Sequence, residues 1–214
     1  MQPTERFAQL FEWQRNAVPL DEAAFLVAAH AHPGLDVDAQ LTRLDDLAAR
    51  CPSATRDGVL AHLFIDEGFH GNEDDYYDPE NSMLDSVLDR RSGIPITLSV
   101  VAIEVARRVG VTFVGIGAPN HFIVQDQASG AYIDPFNRGR VLDGGDLARL
   151  YGGAALPPSD PLEIVGRMLA NLKGIYAQRG DTEALRWVLR LRVLLPGTPE
   201  SEHDELRRLL AHLN

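Results

Sequence analysis

Apolar residues recur at helical spacing in the first third of the chain, at strand-like spacing in the middle, and at helical spacing again towards the end. The run DEAAFLVAAH, from Asp21 to His30, predicts one helix with Asp21 placed as its capping carboxylate. From Asp36 to Arg50, Leu41, Leu44 and Leu47 follow at three-residue steps and predict a second helix; Thr55 to Asp66 predicts a third. A polar, aromatic stretch, GFHGNEDDYYDPENS, breaks the pattern before a helix over Met83 to Arg90. Gly93-Ile-Pro then introduces a strongly apolar helix ending near Gly110. Proline suits a first helical position, where its missing N–H costs nothing, and glycine suits the position just past a helix, where positive φ is cheap. Three strand-like runs follow, Val111 to Gly117, His121 to Gln125 and Ala131 to Asp134, with the last two joined by the hairpin-type loop Asp126-Gln-Ala-Ser-Gly. Pro161 to Gln178 and Thr182 to Leu195 predict an antiparallel helix pair turned at Gly180-Asp181 and closed by Pro196-Gly197. Such a single tetratricopeptide-like unit cannot bury its own apolar face and has to dock on the remainder. A last helix is expected from Glu200 to Leu213. The fold class is therefore α+β: a helical section over 1–65, a core over 66–156 and a helical extension over 157–214, forming one integrated unit.

Composition narrows the function. The 214 residues are 45% hydrophobic and 24% charged, ordinary values for a packed domain. Acidic residues outnumber basic ones by 31 to 20, a net charge of −11 that repels phosphate backbones and anionic lipid, so nucleic acid and membrane are not the expected partners. The one cysteine, Cys51, rules out an internal disulfide or a multi-cysteine metal site. No basic-then-apolar leader is visible at the start, and the apolar run from Ile94 to Ala106 is too short to cross a bilayer, so a cytoplasmic location is expected.

Candidate chemistry concentrates in the middle section. Pairing the two hairpin strands with Gln125 opposite Gly130 sets Ile123 opposite Tyr132 and His121 opposite Asp134, about 5 Å apart at Cβ. An imidazole beside a carboxylate is the base and orienting acid of a catalytic dyad; it is equally a structural hydrogen bond at a strand end. A one-residue slip would separate the two. The acidic loop residues Asp74, Asp75, Asp78 and Glu80 lack EF-hand spacing and read as a solvated loop, so no metal and no cofactor is expected. Tyr76 and Tyr77, adjacent aromatics in a polar loop, suit a cleft cover or a partner contact, with Asn72 and Asn81 bracing the loop through bonds to backbone. His30, His32, His62, His70, His203 and His212 read as surface or boundary histidines, and Arg90-Arg91 and Arg107-Arg108 as solvated helix ends.

The segments GFHGNEDDYYDPENSMLDSVLDRRSGIPITLSVVAIEVARRVG, GAPNHFIVQ and AYIDPFNRG, in that order, resemble the SirB family of transglutaminase-like proteins, and RMLANLKGIY resembles the helical extension that follows the core in that family. The resemblance covers roughly residues 20–195. It implies a papain-like transglutaminase core, in which a helix N-terminus presents a cysteine and an antiparallel sheet presents His and then Asp. A helix N-terminus suits a thiolate because unpaired N–H groups and the helix dipole stabilise negative charge there. Counted back from Gly110, the cysteine position implied by the family falls on Pro95, which offers no nucleophile; His121 and Asp134 match the other two positions. Ser99 lies one helical turn further on, displaced by about 6 Å along the axis, and Thr97 points elsewhere. The expectation is a transglutaminase-like protein without cysteine catalysis, binding an unidentified peptide or protein through the cleft around His121 and Asp134. The alternative is a hydrolase or acyltransferase that uses Ser99, His121 and Asp134, or water activated by the dyad.

Overall fold

The computed structural model describes residues 1–11, 18–118, 121–152 and 156–211. Helices α1 (Pro3–Leu10), α2 (Leu20–Ala31), α3 (Val37–Ala49) and α4 (Arg56–Ala61) build the first section. Asp36 and Thr55 cap α3 and α4 by accepting hydrogen bonds from the Ala39 and Gly58 amides. Asp21 does not cap α2. Pro19 holds that position, and Asp21 lies inside the helix, 5% exposed, against Arg108 at 2.7 Å. The expected third helix changes pitch: α4 gives way to a π turn over His62–Asp66. His62 is buried there, its Nε2 against the Leu47 carbonyl at 2.8 Å, so it is a core residue and not a boundary one.

A two-residue parallel pair, β1 (His70–Gly71) and β2 (Ser92–Gly93), pins the polar loop to the chain entering the central helix. Between them lie a 3-10 turn over Pro79–Ser82 and α5 (Leu84–Arg90). The central helix, α6 (Pro95–Arg108), has proline at its first position and is buried along nearly its whole length. It ends where glycine permits it: Gly110 has φ +83° while the Val111 amide reaches back to the Ala106 carbonyl at 2.9 Å. Glu104 is buried in α6 beside Asp21. Burial, then the charge of Asp21, raises its pKa; Arg107 and Arg108 only partly oppose this. Arg108 also reaches Asp45 at 2.7 Å, so it is a half-buried clasp between α2, α3 and α6 instead of a solvated helix end.

Five antiparallel strands follow in the order β6-β5-β4-β3-β7, namely β3 (Phe113–Ala118), β4 (His121–Asp126), β5 (Tyr132–Asp134), β6 (Arg140–Leu142) and β7 (Pro158–Ser159). Helix α7 (Gly144–Tyr151) comes between β6 and β7. The β4–β5 register is Val124 opposite Ile133 and Gln125 opposite Tyr132, two residues from the expected pairing. The cause is Asp126. It belongs to β4, is buried, and accepts from the Ala128 and Ser129 amides, so the hairpin closes later on each strand, with the Asp126 amide bonded to the Ala131 carbonyl at 2.9 Å. A slip of two keeps every side chain on its face, because the strand period is two.

Helices α8 (Pro161–Arg179) and α9 (Thr182–Arg192) fold back on one another at Gly180, and α10 (Glu200–Ala211) follows. The end of the expected last helix, with His212, lies outside the described residues. One apolar cluster runs through all three stretches, from Phe7 and Phe25 through Leu98 and Phe122 to Leu169 and Leu191. No described helix is long and apolar enough to cross a membrane.

Candidate functional site

Asp134 is 2% exposed at the end of β5, and its carboxylate is fully engaged. Oδ2 accepts from His121 Nε2 at 3.0 Å and from Asn137 Nδ2 at 2.7 Å; Oδ1 accepts from the Phe136 and Asn137 amides at 3.1 and 3.3 Å. Burial alone would raise the Asp134 pKa, but the hydrogen bond and charge of His121, with Asn137, outweigh it and hold the carboxyl below its ordinary value. An ionised carboxylate only accepts, so Nε2 of His121 is the donor in this bond, and Nδ1 is the ring nitrogen left for other partners. Among the described residues Nδ1 has no hydrogen-bond partner. The dyad is diagonal across the strands, not directly opposed, as the two-residue slip requires.

The N-terminus of α6 meets the same cleft through Pro95 and Ile96. No side chain caps it, and its first bonded amide is that of Leu98, to the Ile94 carbonyl at 3.1 Å. Thr97 turns away, donating to the Asn81 carbonyl at 2.6 Å. Ser99 is fully buried, and its Oγ bonds neither His121 nor the Pro95 carbonyl; it has no hydrogen-bond partner among the described residues. The structure therefore brings His121, Asp134 and Pro95 to one place and leaves Ser99 out of hydrogen-bond reach. Cys51 is remote in role, donating to the Ser53 carbonyl at 3.4 Å.

Asn81, fully buried, donates to the Asp75 carbonyl at 2.7 Å and the Tyr76 carbonyl at 3.3 Å; Asn72 donates to Asn81 Oδ1 at 3.0 Å and accepts from the Asp75 amide at 3.0 Å. These bonds hold the polar loop with Tyr76 and Tyr77 over the cleft, ring centroids 5.3 Å apart. The acidic side chains of the loop diverge: Asp78 pairs with Arg90 at 2.6 Å, and Glu80 accepts from Ser86 and lies 3.3 Å from His32. Among the described residues no group of three potential ligands converges as a metal would need.

The cleft is a cavity of about 580 Å³. Sequence reasoning missed several of its walls. Phe136 stands edge-on to His121 at 6.2 Å and to Tyr76 at 6.0 Å. It packs where Gly71 leaves room, since a Cβ there would lie 2.5 Å from the ring. The signal was present: Phe136 follows Asp134 by two in AYIDPFNRG. Arg167 and Asn171, one turn apart on α8, close the far side. Their four-residue spacing in RMLANLKGIY marks a shared helix face, although nothing in it says which cavity that face lines. Behind the dyad, the Tyr151 hydroxyl is buried with no hydrogen-bond partner among the described residues, and burial, then the charge of Asp134, pushes its pKa up to about 12.

Residues 35–171 match the family model described as the transglutaminase-like superfamily, and the chain belongs to that superfamily. Within it the chain falls with the UPF0162 proteins. It is similar to a UPF0162 protein of Xylella fastidiosa strain Temecula1, 35% identical over 221 residues, spanning 92% of this chain and 78% of that one. A UPF0162 protein of Pseudomonas aeruginosa is 31% identical over 180 residues, spanning 76% of this chain and 66% of that one. F-box only protein 21 of Mus musculus is 31% identical over 142 residues, spanning 60% of this chain and 23% of that one. No solved structure matches the chain significantly.

Proposed function

We propose that the chain is a transglutaminase-like binding module without cysteine catalysis, which holds a peptide or protein segment in the cleft around His121 and Asp134. The observation that carries this reading is Pro95 at the first position of α6, beside an intact His–Asp pair. Proline has no nucleophilic atom and takes one amide away from the anion-stabilising end of the helix. Three aromatic rings, Tyr76, Tyr77 and Phe136, line the same cavity and offer contact area at low entropic cost. The SirB-like reading adds the α8–α9 pair as a tetratricopeptide-like arm that lends α8 to the cleft wall, and a cytoplasmic place of action.

The bond between Asp134 and His121 also favours a second reading. An imidazole in a cleft whose Nδ1 has no partner among the described residues can activate water, making the chain a hydrolase. The form of that reading that uses Ser99 lacks the necessary hydrogen bond. Two assays separate the readings. Binding of short peptides is expected to weaken about tenfold or more in a Tyr76→Ala, Tyr77→Ala double variant, with no turnover of peptide or amide substrates. Robust hydrolysis that His121→Ala abolishes replaces the binding module with the hydrolase.

A further inference from the structure

The cavity wall is uneven in charge. The chain carries 31 acidic residues, yet among the described residues no carboxylate lines the cavity, whereas Arg167 does. Most arginines here are paired with an acid. Arg167 has no carboxylate within ion-pair distance among the described residues. The acid best placed to neutralise it, Glu163 one turn earlier on α8, instead accepts from the Asp160 amide at 3.0 Å as part of a helix cap. The guanidinium is nonetheless rigidly held. Nη2 donates to the His121 carbonyl at 3.0 Å and the Ala118 carbonyl at 3.3 Å, and Cζ lies 5.2 Å from the centroid of the Phe122 ring. Nε and Nη1 retain hydrogen-bonding capacity with no protein acceptor assigned among the described residues. A preorganised cation with spare donors, beside the exposed amide side chain of Asn171 and the uncapped positive end of a 14-residue helix, suits a carboxylate.

We infer that the peptide held in this cleft is acidic, and that Arg167, with Asn171 beside it, receives an Asp or Glu side chain of that peptide. The inference rests on the binding-module reading and names its ligand class. A side chain is favoured over a chain terminus because the space does not end at Arg167. The same residue lines an adjoining groove of about 650 Å³ between β7 and the α8–α9 pair, so a bound chain can pass Arg167 and continue. The net charge of −11 opposes an acidic ligand at long range, but salt near physiological strength screens such fields beyond about 8 Å and leaves the local cation to decide.

The test is an array of short peptides blocked at both ends. Each carries one Glu at a scanned position, and each is paired with its Gln twin and with a neutral twin that has a free terminal carboxylate. Binding is measured at about 0.15 M salt. Glu peptides are expected to bind about tenfold more tightly than their Gln twins. Arg167→Gln erases that preference, so that Glu and Gln peptides then bind alike, and Arg167→Lys keeps part of it. Asn171→Ala, at an exposed position that leaves folding intact, lowers the preference a few-fold. Equal binding of Glu and Gln peptides, or a preference that survives Arg167→Gln, overturns the inference. Tyr76-dependent binding without an acid preference leaves the binding module standing and removes only this ligand class. A preference confined to free terminal carboxylates overturns the side-chain source. Absence of binding by every peptide removes both readings.

Discussion

Asp134 accepts from four donors, and that arrangement determines what its neighbour can do. With the carboxylate filled, Nε2 of His121 is committed as a donor, Nδ1 has no partner among the described residues, and the ring cannot rotate without breaking the bond at 3.0 Å. The dyad stands ready for an acidic hydrogen that Pro95 does not have. Restoring the thiol should reveal this. A Pro95→Cys variant is expected to react with iodoacetamide about tenfold or more faster than Cys51 at about pH 6, because a helix N-terminus and an adjacent imidazole stabilise a thiolate. Asp134→Asn in the same background should remove the gain, since an amide at that position no longer holds Nε2 in its protonated form. Equal alkylation rates at positions 95 and 51, measured by peptide mass spectrometry, would show that the ring does not serve the start of α6.

Among the elements, α6 carries the site and also a local inconsistency. It is a buried helix whose first turn faces a cleft and whose second turn holds a serine with no hydrogen-bond partner among the described residues. A buried hydroxyl without a partner has lost its water and gained nothing. Ser99→Ala is therefore expected to raise the unfolding free energy by about 1 kcal/mol in urea titration, and to leave peptide binding unchanged. A loss of stability instead would mean that Ser99 has a partner in solution, which would revive it as a catalytic candidate. The hairpin makes the complementary point. Asp126, read as the first loop residue, is the last strand residue because its carboxylate ties the turn from within.

The whole molecule is stitched by contacts far apart in the chain. The Arg179 side chain donates to the Tyr77 carbonyl at 3.0 Å, tying the end of α8 to the aromatic loop. His32, just past α2, places Nδ1 2.7 Å from Asp85 on α5 and Nε2 3.3 Å from Glu80 in the 3-10 turn. Burial opposes charge on this ring, but the Asp85 and Glu80 carboxylates outweigh it and raise its pKa above 6.5. A raised histidine pKa stabilises the fold fully below the unfolded value and loses that contribution as pH rises through the folded value. The melting temperature of the wild type should thus exceed that of His32→Gln by its largest margin near about pH 6, and the margin should shrink by about pH 9. A margin independent of pH would show that His32 acts as an uncharged spacer. Helices α1 and α7 and the short strands β6 and β7 were not read in the sequence, whereas the long helices, strands β3 to β5, the glycine stop at Gly110 and the shared face of His121 and Asp134 were legible there. Each depends on local period or on strand parity, and parity survives a slip of two. What only the tertiary structure decided was distance between segments: that Asp21 on α2 and Arg108 on α6 meet, that Ser99 finds no partner among the described residues, and that Arg167 on α8 closes a cleft begun by β4 and α6. Periodicity tells which face of an element is buried, but the partner that buries it is chosen by the packing of the whole chain.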